Sequence, residues 1–189
     1  MEATVPNNTT NVHGPKGDIL AGTASVDDLT GKSGDDSLSG LDGNDMLHGG
    51  RGDDTVDGGA GDDSIWGGVG SDLLTGGAGR DTFFIEGQTG ATMGDLDRIT
   101  DFTHGEDRIG FGGKVSIAGH GFTSGTAATY DDALTFAAQQ IQGHTADIVA
   151  VQVGGDVVVF ADADLTDKVG GAAVLVGKTL TDIGQWDVF

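Results

Sequence analysis

The chain contains no cysteine, only two prolines and only nine basic residues in 189 positions. Without thiols it cannot form disulfides, thiolate zinc sites or a cysteine nucleophile. So little proline excludes a collagen-like chain or a Pro-rich linker. No segment has the roughly 18 consecutive apolar residues of a transmembrane helix, and residues 1–10 lack the basic and apolar stretches of a signal peptide. None of the five histidines stands in an HExxH motif, which excludes that type of zinc protease site.

Acidic residues and glycine are abundant instead. Thirty Asp and Glu give a formal net charge of -21, and 36 residues are glycine. Nucleic acid and anionic membranes would repel such a chain, so we expect neither to be a partner, nor insertion into a membrane. The charge favours cations. The hydrophobic content of 37% is enough for a core, although only 6% of the residues are aromatic and could fill it.

Seven consecutive blocks of nine residues run from Gly22 to Phe84. Position one is glycine in all seven blocks, and position four is glycine in all but the first, where Ser25 stands. Position eight is always apolar: Leu29, Leu38, Leu47, Val56, Ile65, Leu74 and Phe83. Position six is always aspartate: Asp27, Asp36, Asp45, Asp54, Asp63, Asp72 and Asp81. A repeat of this length predicts a stacked, solenoid-like architecture.

Each repeat position has a physical reason. Glycine permits tight turns with positive φ and close backbone approach. Positions seven to nine can form one short strand, in which position eight points to the opposite side from its neighbours. One apolar residue per block becomes a core only when the strands stack, so we expect two blocks to form one coil of 18 residues. The stacked aspartates then repel one another, which a hard cation with oxygen ligands would relieve. Calcium suits this environment better than magnesium, which retains its waters.

These blocks match the pattern GGxGxDxUx, and the chain therefore resembles the RTX family of calcium-binding repeat proteins. The resemblance implies an all-β fold: a right-handed parallel β-roll followed by a β-rich C-terminal region with one short helix. It implies calcium between turns 18 residues apart, pairing Asp36 with Asp54, Asp54 with Asp72, Asp45 with Asp63, and Asp63 with Asp81. A further pair of Asp27 with Asp45 is the weakest expectation, because the first turn lacks two glycines. The carbonyl ligands would come from Gly34, Gly43, Gly52, Gly61, Gly70 and Gly79.

The segment Asp95–Phe111 resembles the stretch that follows RTX repeats in serralysin-like proteins. That resemblance implies that it closes the roll and that Asp97 and Asp101 complete the last sites, for roughly four to six calcium ions in all. For Asp107 a simple hairpin with an aspartate at its turn remains open as an alternative.

The remaining sequence predicts three regions: a polar tail or linker over 1–18, the roll over 19–84, and a closing and C-terminal region over 85–189. Apolar spacing predicts an amphipathic helix over 130–142, capped by Thr129 and ended by Gly143. A hairpin about Gly154-Gly155 and a strand over 172–177 follow. This region resembles the C-terminal part of proteins exported by type I secretion, which implies an ABC transporter as partner and an extracellular or cell-surface location.

The sequence thus leads to a non-enzymatic, calcium-binding module that folds after export and has neither catalytic residues nor an organic cofactor. Two alternatives stay open. One is the non-catalytic part of a secreted hydrolase or alginate epimerase, and the other is a surface-layer or adhesive protein whose copies associate through calcium.

Overall fold

We describe the protein from a computed structural model that covers residues 3–4, 10–11, 17–86, 93–111, 121–143, 146–162, 169–184 and 187–189. Most of the secondary structure is β. The first ten strands are β1 (Ala3–Thr4), β2 (Thr10–Asn11), β3 (Ile19–Ala21), β4 (Asp28–Thr30), β5 (Ser37–Asp42), β6 (Met46–Arg51), β7 (Thr55–Ala60), β8 (Ser64–Val69), β9 (Leu73–Ala78) and β10 (Thr82–Ile85). The later ones are β11 (Asp97–Ile99), β12 (Arg108–Phe111), β13 (Phe122–Ala127), β14 (Ile148–Val153), β15 (Asp156–Ala161) and β16 (Gly171–Leu175).

Successive repeat strands alternate between two sheets and pair in parallel within each of them. The long sheet has the order β1-β3-β5-β7-β9-β11-β16-β15-β14-β13, and the short sheet has the order β12-β10-β8-β6-β4-β2. Neighbouring strands are offset by 18 residues, so that Leu38 pairs with Val56, and Val56 pairs with Leu74. Two blocks therefore make one coil, and the predicted parallel β-roll is confirmed.

The core of the roll is the column of position-eight side chains. Leu47, Val56, Ile65 and Leu74 are fully buried between the two sheets. Positions seven and nine of the same strands point outwards, which explains why serine, threonine and charged residues are tolerated there. His48, Trp66 and Phe84 occupy position nine of the short sheet and stack on one another, with ring centroids 4.3 and 4.2 Å apart.

The closing segment adds one more coil to the roll. Strand β11 pairs with β9 in the long sheet, whereas β12 pairs with β10 in the short sheet. The two strands lie in different sheets, so the hairpin that the sequence left open around Asp107 is wrong. Ile99 and Ile109 continue the buried apolar column in place of a position-eight residue.

Strands β14, β15 and β16 extend the long sheet beyond the last coil. A helix, α1 (Tyr130–Gln142), is capped by the Thr129 side chain and ends at Gly143, as the sequence predicts. Its buried face, with Ala133, Ala137 and Ile141, packs on the outer side of these strands in a second core. The hairpin about Gly154-Gly155 and the following strand are also confirmed. Two short 3-10 helices cover Met93–Asp95 and Leu180–Asp182.

Within the described ranges, no helix has the length and apolar character needed to cross a membrane. Most of the predicted tail, together with residues 112–120 and 163–168 of the C-terminal region, lies outside the described residues. Of the tail, the structure describes only β1, β2 and residues 17–18. Strand β1 pairs with β3, and β2 pairs with β4.

Candidate metal centre

Ten aspartates stack in two columns along the edges of the roll. Each begins an Asp-x-apolar step, and the apolar residue of that step belongs to the core. We define the first column as Asp18, Asp36, Asp54, Asp72 and Asp97. We define the second column as Asp27, Asp45, Asp63, Asp81 and Asp107. Nine of the ten residues are buried, and Asp18 is half-buried.

In every aspartate after the first of each column, one carboxylate oxygen links its coil to the preceding one. Oδ1 of Asp54 accepts the backbone N–H of Asp36 at 2.7 Å, and Oδ1 of Asp72 accepts that of Asp54 at 2.8 Å. The same bond recurs in the second column, where Oδ1 of Asp63 accepts from Asp45. This ladder fixes the carboxylates in register with the coil spacing, about 4.8 Å for adjacent strands.

The other oxygen has no donor in most of these aspartates. Oδ2 is buried without a hydrogen-bond partner in eight residues: Asp18, Asp36, Asp45, Asp54, Asp63, Asp72, Asp81 and Asp97. A buried, unsatisfied carboxylate oxygen is costly unless a cation or proton compensates it. Eight repetitions of one such defect indicate a ligand set rather than an accident of packing.

The position-one glycines leave the space beside these oxygens. A Cβ added at Gly49 would overlap Oδ2 of Asp54 and lie 2.6 Å from the carbonyl oxygen of Gly67 in the next coil. A Cβ at Gly58 would meet Asp63 and the Gly76 carbonyl in the same way. In Asp36, Asp45, Asp54 and Asp63, Oδ2 therefore lies beside a backbone carbonyl of the next coil, and a cation in the gap between the two coils could contact both oxygens.

The electrostatics of the two columns favour a bound cation, because burial and like charges raise the pKa values of the carboxyl groups. Burial, and then the like charges of Asp72 and Asp36, raises the pKa of Asp54 to about 7. Burial followed by the charge of Asp72 raises the pKa of Asp97 to about 8. The same main cause, burial, raises the pKa of Asp45 to about 6 and that of Asp81 to about 7. It also raises the pKa values of Asp36, Asp63, Asp72 and Asp107.

Backbone carbonyls of the position-four glycines face the neighbouring coil. The carbonyl oxygen of Gly34 lies against Gly52, and that of Gly43 lies against Gly61. Likewise the Gly52 and Gly61 carbonyls lie against Gly70 and Gly79. These are the six glycines that the sequence predicts as carbonyl ligands, and their role as ligands stays a prediction.

Two predicted ligands differ from the rest in their hydrogen bonds. Oδ2 of Asp27 accepts the N–H of Thr23 at 2.6 Å and its hydroxyl at 3.0 Å. Asp101 lies outside both columns, where its carboxylate accepts the N–H groups of Gly76 and Gly77 at 3.0 and 2.7 Å. Amide donors thus already neutralise part of the charge on both carboxylates.

Sequence reasoning missed two members of the columns. Asp107 ends the second column, where its Oδ1 accepts the N–H of Asp81. Asp18 begins the first column, where its own N–H bonds to Asp36. The available signal was the Asp-x-apolar step: Asp18 and Leu20 stand nine residues before Asp27 and Leu29. It was overlooked because the sequence before Asp18 lacks glycine at positions one and four of the repeat.

Calcium fits these gaps. The polar groups identified there are carboxylate and carbonyl oxygens, which is the donor set that calcium prefers. Nowhere in the described ranges do three acidic or histidine side chains converge on one point. A cation here would therefore take carboxylates from successive coils and complete its shell with backbone carbonyls, as a roll built on glycine turns allows.

A β-roll with stacked aspartate turns defines a class of calcium-binding repeat modules. Residues 21–56 and 48–83 match the family model of the RTX calcium-binding nonapeptide repeat. These residues are RTX repeats, and they make up about a third of the chain.

Solved structures that resemble the chain include parts of two enzymes. The AlgE6R3 subunit from the Azotobacter vinelandii mannuronan C5-epimerase is 23% identical with a TM-score of 0.48, and the match covers 99% of this chain and 86% of that one. Extracellular lipase LipA from Serratia marcescens is 16% identical with a TM-score of 0.35, and the match covers 98% of this chain but 40% of the lipase. No curated protein matches the chain.

Proposed function

We propose that this chain is a non-enzymatic, calcium-dependent folding module of a secreted or cell-surface protein. The observation that carries the proposal is the set of eight buried Oδ2 atoms without a donor. When bound, calcium would neutralise these carboxylates and cross-link successive coils. The aspartates therefore make folding of the roll depend on the cation, because the folded columns concentrate negative charge that the unfolded chain spreads out.

The charge of the chain sets the direction of this switch. At a net charge of -21 and low calcium, repulsion between the columns favours the unfolded chain. A cation that binds only the folded state adds RT ln(1 + [L]/Kd) to stability, about 2.7 kcal/mol at a hundredfold excess over Kd. Extracellular modules bind calcium with Kd values on the order of 10⁻⁴–10⁻³ M. The repeats would thus stay unfolded in the cytosol and fold outside the cell.

The same switch suits export of an unfolded chain. A type I ABC transporter is the partner that the C-terminal region suggests, and residues 115–189 would carry the signal that it reads. Deleting these residues from a secreted fusion should leave the fusion in the cytosol. Replacing both Asp54 and Asp63 with alanine should instead slow folding outside the cell without abolishing recognition. Normal secretion of the truncated fusion would contradict this part of the proposal.

Calcium-dependent folding is tested directly on the purified chain. Metal-free protein should have a mostly disordered far-ultraviolet circular dichroism spectrum, and calcium should produce β structure cooperatively. Magnesium at equal concentration should do much less. A spectrum that is unchanged on calcium removal would overturn the proposal. A calcium-dependent increase in particle size would instead support the surface-lattice alternative.

Neighbouring aspartates provide a matched pair of variants. Asp54→Ala should weaken the calcium response strongly, because this buried carboxylate takes part in two gaps. Asp53→Ala should have a small effect, because Asp53 is exposed and its Oδ1 only accepts the N–H of Ser71 at the rim. Equal effects of the two substitutions, measured as calcium midpoints of folding, would contradict the assignment of the columns.

A further inference from the structure

The two columns end differently. In the second column, the N–H of a threonine four residues upstream caps the terminal aspartate at each end. Thr23 donates to Oδ2 of Asp27 at 2.6 Å, and Thr103 donates to Oδ2 of Asp107 at 2.7 Å. Both turns lack the glycine pattern of the repeat. The backbone amide occupies the side of the carboxylate that faces the gap elsewhere.

The first column has no such caps at its ends. Oδ2 of Asp18 and Oδ2 of Asp97 are both buried and without a hydrogen-bond partner. Asp97 is completely buried, and Asp36, the next residue of the column after Asp18, is 2% exposed. Every aspartate of the first column therefore has an unsatisfied carboxylate oxygen. This includes Asp18, which precedes the residues that match the repeat family model.

An amide donor and a cation compete for the same lone pairs. Where Thr23 donates to Asp27, the carboxylate is satisfied and a cation would have to displace the amide, leaving that N–H unbonded. Where Asp18 faces its gap, no donor is displaced. Binding of a cation is therefore more favourable at the start of the first column than at the start of the second.

We propose that Asp18 is a calcium ligand, sharing an ion with Asp36 across the first gap of its column, and that the gap between Asp27 and Asp45 takes no calcium. The inference rests on the proposed function. It assigns a site to Asp18, which stands outside the seven repeat blocks, and removes one from Asp27, which stands in the first block. Four gaps in the first column and three in the second then make seven calcium sites. The sequence analysis expects at most about six.

The test is the number of calcium ions bound per full-length chain, measured by metal analysis after equilibrium dialysis. Asp18→Asn should bind one ion fewer than the unmodified chain, and Asp27→Asn should bind the same number. The triple substitution Thr23→Gly, Ser25→Gly and Val26→Asp restores the repeat in the first block. It should bind one ion more, because it removes the threonine cap and supplies the missing glycines.

The outcomes separate this inference from the proposed function. An unmodified chain that binds no calcium overturns both. If the unmodified chain binds calcium, an unchanged count in Asp18→Asn or a lower count in Asp27→Asn overturns the inference alone. Circular dichroism in calcium shows whether Asp18→Asn is folded. If it is not, the triple variant decides: a gain of one ion supports the inference, and no gain overturns it.

Discussion

At the residue scale, two side chains occupy a backbone conformation that the repeat reserves for glycine. Position two has positive φ in every repeat block after the first, and it is glycine at Gly50, Gly59, Gly68 and Gly77. Lys32 and Leu41 hold φ values of 79° and 78° at the same position. An L-residue in the left-handed region costs about 1–2 kcal/mol, so the calcium-loaded roll carries a local strain at each of them.

Leu41→Gly should therefore stabilise the calcium-loaded protein. Relief of strain exceeds the extra chain entropy that glycine gives the unfolded state, about 0.4–1 kcal/mol, and Leu41 is largely exposed. We expect a gain of about 0.5–1 kcal/mol in denaturant unfolding at saturating calcium. Val69→Gly is the control, because Val69 is exposed without positive φ, and it should be destabilising. A loss of stability in both variants would contradict the argument.

The column carboxylates also predict how stability depends on pH without metal. Their folded pKa values are raised, to about 7 for Asp54 and about 8 for Asp97. Each group therefore contributes stability that is fully present below the unfolded value of 3.8 and is lost as pH rises through the folded pKa. Protein stripped of calcium should gain β structure as pH falls from about 8 to about 5.

Circular dichroism of the metal-free chain across this pH range measures the effect. Asp54→Asn removes one of the titrating groups and should make the pH dependence shallower. At subsaturating calcium the sign reverses, because protons compete with the cation and acidification weakens binding. Loss of β structure on acidification of the metal-free chain would contradict the account.

At the scale of the coil, the position-one glycines lie directly against the aspartates of the columns, so a side chain there would displace a carboxylate. Gly58→Ala would force a Cβ into Oδ2 of Asp63 and to 2.5 Å from the Gly76 carbonyl. Overpacking of this kind costs about 1–3 kcal/mol, and it would also narrow a calcium gap. The unfolding free energy should therefore fall, and the calcium concentration at the midpoint of folding should rise. Gly155→Ala is the matched control, because nothing lies within 4 Å of the added Cβ, and a similar loss there would refute the steric explanation.

The elements differ in how far the sequence could predict them. The roll, helix α1 and the hairpin at Gly154-Gly155 have a period, a cap or a turn signal of their own, and each was predicted. Strands β1 and β2 have two residues each and exist only through their partners. The pairing of β11 with β16 joins residues far apart in sequence. No local pattern encodes such contacts.

At the scale of the whole molecule, residues 187–189 close the short sheet beside β12. The N–H of Ile109 donates to the carbonyl oxygen of Asp187 at 2.6 Å, and the N–H of Phe189 donates to that of Ile109 at 2.9 Å. His104 Nδ1 lies 2.6 Å from Oδ2 of the buried Asp187. Val188 is 1% exposed and belongs to the core of the roll. The last coil is thus covered by a segment that follows it by some 80 residues.

Val188→Ala should weaken this closure. Removing two buried carbon atoms costs about 0.8 kcal/mol each in transfer free energy, and a residual cavity adds to it, so we expect a loss of about 1.5–3 kcal/mol in unfolding at saturating calcium. Val69→Ala makes the same chemical change at a side chain that is 64% exposed and should cost far less. Because Ile109 of β12 stands two residues after Asp107, a looser cover should also weaken the calcium response of the last gap in the second column. A variant that loses stability while every calcium midpoint is unchanged would show that the closing segment stabilises the core without supporting the column.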